Sequence, residues 1–174
     1  MNSKLQQIDQ RIYMWFQHLT RRNRFVDRLA LSIACHGPLF MLTILAIEFT
    51  FGTKKERWVV AGAIVAAIMG KIFNEGIRLR FYRQRPYHTL GTIPLLWKGE
   101  DASFPSNHAS GAFALAFPLW LHGGTVGEIM LLFACLLALS RVYVGVHYIT
   151  DVITGAVIGS LLGWFCESLV RWLT

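Results

Sequence analysis

A succession of apolar stretches separated by short polar runs dominates this 174-residue sequence and narrows what it can fold into. Residues 29–51, 58 to about 77, 126–143 and 149–173 are long enough, or nearly so, for a helix to cross the roughly 30 Å hydrocarbon core of a bilayer, and residues 109–121 form a shorter apolar stretch that the alternation of crossings makes a further span. Hydrophobic residues make up 54% of the chain, more than an ordinary soluble domain carries. The pattern predicts a single domain over residues 1–174, an all-α polytopic membrane bundle of about five transmembrane helices. An N-terminal helix brings the expectation to about six helices in all.

That first helix reads differently from the rest. Over residues 5–20, Leu5, Ile8, Ile12, Trp15, Phe16 and Leu19 recur at three- and four-residue spacings, with Gln, Asp, Arg and His between them. Such a helix is only about 24 Å long and amphipathic, so it is expected to lie in the interface, with Arg21-Arg22-Asn23-Arg24 as a headgroup-level turn. Gln6, Gln7, Asp9, Gln10 and Arg11 interrupt any signal-peptide pattern, leaving insertion to the internal helices. Thr53-Lys54-Lys55-Glu56-Arg57 forms a polar hairpin between the first two spans. Residues 87–105, with Gly91, Pro94, Gly99 and Pro105, form the longest connection, with no place for a folded extramembrane domain. Gly155, Gly159 and Gly163 stand four apart, a helix-packing face.

The formal charge of +7 does not point to nucleic acid, because the basic residues fall in short runs between apolar segments. They suit headgroup anchors and phosphate ligands. Cys35, Cys135 and Cys166 are isolated, without metal-ligand spacing, and are expected to be buried packing thiols.

Three polar clusters interrupt the apolar pattern. Arg78 and Arg85 follow the second span, Ser106, Asn107 and His108 open the third, and Arg141, His147 and Asp151 occupy the junction of the last two. Counting crossings puts all three on one membrane face. Ionisable groups at such depth are costly, which makes a functional site facing a wet cavity the default reading. Arginines offer forked donors matched to phosphate oxygens and stay charged in a partly desolvated cavity. Ser106 and backbone N–H groups at a helix N-terminus add donors where the helix dipole favours an anion. His147 and Asp151 are four apart, so the carboxylate can hold the imidazole's second nitrogen and leave a nucleophile for phosphorus. His108 can supply the proton a departing oxygen requires.

Plainer readings cover the other polar residues. His18, His36, His88 and His122 suit interhelical or interfacial hydrogen bonds, and Arg80 and Arg83 suit lipid headgroups. Trp58, Trp97, Trp120, Trp164 and Trp172 suit interface anchoring or packing. Glu75, deeper in the second span, is placed to pair with an active-site arginine.

The three clusters resemble the type 2 phosphatidic acid phosphatase superfamily, whose pattern is Lys-x6-Arg-Pro, Pro-Ser-Gly-His and Ser-Arg-x5-His-x3-Asp. The third part is complete from Ser140 to Asp151; the second reads Pro105-Ser106-Asn107-His108; the first has Arg85-Pro86, with Arg78 in place of lysine. Within the superfamily the chain resembles the bacterial undecaprenyl diphosphate phosphatases of the bacitracin-resistance type. The short N-terminal helix, the Arg-Asn pair before Asp27, the segment Asp101-Ala102-Ser103-Phe104-Pro105-Ser106 and Val144-Gly145-Val146-His147-Tyr148 carry that likeness. The resemblance implies His147 as a nucleophile forming a phosphohistidine, Asp151 as its orienting partner, and His108 as acid and then base. It implies Arg78, Arg85, Ser106, Asn107 and Arg141 as phosphate ligands, with no metal and no cofactor.

The expected substrate is a membrane lipid phosphate, a polyprenyl diphosphate first among them. Phosphatidylglycerophosphate, phosphatidic acid or lipid A phosphate on the same machinery is the alternative. A haem-binding membrane protein and a non-enzymatic lipid-binding protein are the remote competitors; the first leaves Arg85, Arg141 and Asp151 unexplained, and the second leaves the His108, His147 and Asp151 set unused. The expected location is the bacterial cell membrane. The basic residues around the first helix would place the site in the cytoplasm by the positive-inside rule, whereas the resemblance implies an outward-facing site, and the outward orientation is the expected one.

Overall fold

The computed structural model describes residues 3–99 and 102–173. Asp101, one of the residues that carry the family likeness, lies outside them. The described chain forms seven helices: α1 (Ser3–Leu19), α2 (Arg24–Phe51), α3 (Lys54–Arg80), α4 (Pro86–Leu90), α5 (Asn107–His122), α6 (Thr125–Tyr143) and α7 (Ile149–Leu173). Four of them, α2, α3, α6 and α7, are long and apolar enough to cross a membrane. The remaining expected span, the third in chain order, is α5, which has 16 residues and is apolar but short, because it starts at the buried Ser106 beside the polar clusters. The chain is a multi-pass membrane protein. The extra helix is α4, one turn within the connection after α3, started by Pro86 at a position where a missing N–H costs nothing.

Helix boundaries follow local capping. The Asn23 side chain accepts from the N–H groups of Phe25 (2.9 Å) and Val26 (3.4 Å), so α2 starts at Arg24, five residues before the apolar stretch does. Thr53 and Glu56 form a reciprocal capping box that starts α3 at Lys54 and draws most of the polar hairpin into the helix.

Helix α5 is the hub, packing on α7, α6 and α3. Ala109, Ala112, Ala114 and Ala116 are buried on it, and α7 meets it through the glycines at 155, 159 and 163. A Cβ at Gly159 would stand 2.1 Å from the Ser110 carbonyl oxygen, and one at Gly155 2.6 Å from that of Ser106. Neither backbone can yield without parting the helices, as expected of a small-residue packing face. Gly159→Ala is therefore expected to cost about 1–3 kcal/mol of stability, read as a lower melting temperature in detergent. Gly76→Ala, whose Cβ meets nothing within 4 Å, should not lower it.

Outward faces of the long helices expose Leu39, Ile47, Ile68, Ile72, Leu132 and Leu161, the apolar belt a bilayer requires. Cys35 and Cys135 also lie on the exposed surface, contrary to the expectation of buried thiols, and only Cys166 is buried. A spanning helix presents apolar residues to lipid as readily as to the core, so an apolar setting does not tell the two apart. Helix α1 is amphipathic as expected, with Leu5, Ile8 and Trp15 facing outward. Its inward face is narrower and more polar than an interfacial helix needs: Asp9 and Tyr13 are both fully buried against the bundle.

Candidate active site

The ends of α3, α5, α6 and α7 meet on one face of the bundle, as the crossing count predicts. A tight turn joins α6 to α7, with Gly145 at φ 89°, where a side chain would be strained. His147 follows it. The connection after α3 folds back over this turn: Leu95 and Leu96 donate their N–H groups to the Val144 carbonyl (3.0 and 3.3 Å), and Arg85 Nη1 donates to the Val146 carbonyl (2.8 Å). Arg85, Ser106, Arg141, His147 and Asp151 are all buried.

His147 is 2% exposed and directs Nδ1 at the backbone carbonyl of Ser103, 2.8 Å away. An Nδ1–H donating there fixes the tautomer and leaves the Nε2 lone pair available. Burial, helped by the charges of Arg85 and Arg141 and opposed by Asp151, pushes the imidazole's pKa down to about 4, so the ring is neutral near pH 7.

Asp151 stands behind His147 but does not hold it directly. Its Oδ2 is 3.7 Å from Nδ1, too far for a hydrogen bond, and instead accepts from Ser103 Oγ (2.5 Å) and the Tyr148 N–H (2.9 Å). The direct carboxylate–imidazole contact expected from the four-residue spacing is thus replaced by one through Ser103. The physical reason is placement: His147 precedes α7, so the two residues do not share a regular helical face.

Arg141 Nη1 donates to the Ala34 carbonyl (3.0 Å). In α2 that carbonyl faces Pro38, four residues on, which has no N–H to offer it. The proline thus frees a buried acceptor that docks the arginine. Ser106 caps α5 by accepting from the Ala109 N–H (3.4 Å), while its own N–H donates to the Asp151 carbonyl (3.0 Å). His108, half-buried in the first turn of α5, lies near His147 and close enough to Arg141, Lys98 and Arg85 to feel their charges. It also opens onto an apolar cavity of about 220 Å³ lined by Pro38, Met41 and Leu42 of α2, Leu115 of α5 and Leu137 of α6.

Arg78 borders the centre from α3. Its Nη2 donates to the Pro105 carbonyl (3.1 Å) and its Nη1 to Glu75 (3.2 Å), the expected pairing of that glutamate with a site arginine. The Asn107 side chain is committed to the same network, donating to Glu75 (2.9 Å) and accepting from Asn74 (2.8 Å). What Asn107 offers an anion is therefore its backbone N–H at the start of α5.

Several neighbours escaped the sequence reading. Arg83, expected at the lipid headgroups, turns inward: Nη1 donates to Asp151 Oδ1 (2.6 Å) and Thr150 Oγ1 (2.9 Å), and Nη2 to Asp9 (2.7 Å). The helix ends at Arg80 and the chain runs extended to Arg85, which leaves Arg80 exposed and Arg83 part-buried. Ser103 gave no sign beyond its place in the family-like segment. Lys98 stood as one cation in a polar connection. Among the described residues no group of His, Cys, Asp and Glu is arranged to hold a metal ion.

The pattern of the PAP2 superfamily matches residues 58–174, which contain all three polar clusters. The chain is 30% identical over 155 residues to undecaprenyl-diphosphatase BcrC of Bacillus subtilis, covering 88% of this chain and 79% of that one. The crystal structure of Aquifex aeolicus LpxE superposes with a TM-score of 0.75 at 26% identity, over 89% of this chain and 93% of that one. A PAP2-type phosphatidylglycerolphosphate phosphatase from Bacillus subtilis, 21% identical, shares the fold at a TM-score of 0.74 over 100% of this chain and 90% of its own. Sequence pattern, overall likeness and helix arrangement agree, and the chain belongs to the PAP2 superfamily as a membrane lipid phosphatase.

Proposed function

We propose that this chain removes the terminal phosphate of undecaprenyl diphosphate, releasing undecaprenyl phosphate and inorganic phosphate. The observation that carries the chemistry is His147: buried, neutral, and with Nδ1 committed to the Ser103 carbonyl, it keeps Nε2 free in a site where the charges of Arg85 and Arg141 act on the ring. The likeness to the Bacillus subtilis undecaprenyl-diphosphatase supports the choice of lipid.

In the first step Nε2 attacks the terminal phosphorus, the N–P bond forms, and the bond from phosphorus to the bridging oxygen breaks. His108 gives its proton to that oxygen, so undecaprenyl phosphate leaves with its new oxygen protonated and one negative charge fewer. In the second step His108 takes a proton from water, whose oxygen attacks phosphorus and displaces His147, and inorganic phosphate departs. Arg85, Arg141, Arg78, the Ser106 hydroxyl and the backbone N–H of Asn107 hold the phosphoryl oxygens as charge shifts among them. The lipid remains in the bilayer, and the apolar cavity beside His108 suits the first part of its chain. The reading places the site at the outer face of a bacterial cell membrane, where the regenerated carrier serves cell-wall synthesis.

Phosphate release from undecaprenyl diphosphate, phosphatidylglycerophosphate, phosphatidic acid and lipid A by purified protein in detergent tests the substrate. Undecaprenyl diphosphate is expected to have the highest kcat/KM; preference for any other member of the panel overturns the assignment. Because arginines supply the charge that divalent ions provide in other phosphoryl-transfer sites, turnover should survive excess EDTA. A loss restored by added Mg²⁺ or Zn²⁺ would contradict the metal-free mechanism.

A further inference from the structure

Helix α1 lies outside the region matched by the family pattern, yet one of its side chains reaches the centre. Asp9 is fully buried. Its Oδ2 accepts from Arg83 Nη2 (2.7 Å) and Thr150 Oγ1 (2.5 Å), and its Oδ1 from the Thr150 N–H (3.2 Å). The other guanidinium nitrogen of Arg83 donates to Asp151 Oδ1 (2.6 Å), so one cation spans two fully buried carboxylates. The guanidinium also lies over the Tyr148 ring, 3.9 Å from its centroid, which fixes its plane. From Asp151 the contacts continue through Ser103 Oγ, and the Ser103 carbonyl accepts His147 Nδ1.

A carboxylate is expensive to bury and is kept only where its partners hold it well. Packing α1 on α6 and α7 does not require one. We propose that Asp9 is a positioning residue that holds Arg83 between two carboxylates, so that the N-terminal helix sets both the orientation and the effective charge of Asp151 behind His147. With Asp9 in place, the guanidinium charge is shared. Without it, the whole charge falls on Asp151 and weakens the carboxylate's support for the positive ring that forms when His147 takes the phosphoryl group. The inference rests on His147 and Asp151 acting as proposed above, but not on which lipid is hydrolysed.

The test is Asp9→Asn in the full chain, purified in detergent and assayed with whichever lipid phosphate the wild type hydrolyses fastest. The expected result is a fall in kcat of about 10–100-fold, the range for loss of an outer partner of a reacting group. KM should stay within about twofold and phosphoenzyme formation should slow, with helix content and melting temperature near wild type. Asp9→Glu, which keeps the charge, should recover part of kcat. A purely structural role predicts a loss that matches the fraction unfolded, with normal kcat per folded molecule, and that result overturns the proposal, as does wild-type kcat in Asp9→Asn. If Asp9→Asn does not fold, Thr150→Val removes the hydroxyl shared by Arg83 and Asp9 while keeping the side chain's shape. It should lower kcat at unchanged KM, and an unchanged kcat sinks the idea. A wild type that prefers a different lipid refutes the substrate assignment and leaves the ratio of variant to wild type decisive here. A wild type that hydrolyses no lipid phosphate overturns both.

Discussion

His147→Ala is expected to abolish turnover, with a loss of at least about 10⁴-fold and no phosphoenzyme on acid-stable or alkali-stable trapping. The replacement leaves a small cavity and removes a group already neutral in the folded state, so expression and helix content should stay near wild type. The pH dependence has a definite sign. Burial and the charges of Arg85 and Arg141 hold the His147 pKa near 4 in the folded protein, against the pull of Asp151 and an ordinary value of 6.5. The nucleophile therefore stays unprotonated as pH falls through 6, and its contribution to the acid limb of kcat/KM should appear only near about 4. Stability behaves differently. Between 6.5 and about 4 the unfolded chain binds a proton at this position and the folded one does not, so the histidine makes stability decline as pH falls across that window. His147→Ala should remove that part of the decline. Retention of wild-type turnover by the alanine variant would refute the assignment.

How much of the fold and the site is legible in the sequence follows from how locally each feature is encoded. The spans are legible because a bilayer demands long uninterrupted apolar runs, and residues 149–173 satisfy that demand whatever their neighbours do. Arg141, His147 and Asp151 are legible because three costly groups stand within a short stretch of such a chain. The boundaries of α2 and α3 are less so, since Asn23 and the Thr53–Glu56 box admit charged first turns that composition alone assigns to a loop.

The supporting residues are set by how residues 81–99 and 102–106 return across the α6–α7 turn, and no periodicity describes that path. Arg80 and Arg83 stand three apart in one basic run, yet one is exposed and the other bridges Asp9 to Asp151. Ser103 matters through its carbonyl as much as its hydroxyl, and a carbonyl has no residue type. Asp9 reads as the polar face of an amphipathic helix. Its role is visible only once α1 is seen to turn that residue inward and its leucine and tryptophan outward.

For His108→Ala the expected loss depends on the leaving group, and that dependence identifies the role. With an alkyl phosphate such as phosphatidic acid, whose leaving group is a basic alkoxide, the departing oxygen needs a proton as the P–O bond breaks, and removing the acid should cost about 10²–10⁴-fold in the first step. With an activated phosphate ester, whose leaving group is stable as an anion, that step should slow far less. Hydrolysis of the phosphohistidine still needs a base for water, so the second step becomes limiting. His108→Ala should then release one equivalent of activated alcohol in a burst and accumulate phosphoenzyme, where wild type shows neither. The apolar lining of the cavity beside His108 favours this outcome, because few groups there can substitute in activating water. If alkyl and activated substrates slow equally and no burst appears, His108 contributes through binding rather than proton transfer. Arg141, Lys98 and Arg85, whose charges bear on it, would then be the groups to examine for stabilising the leaving oxygen.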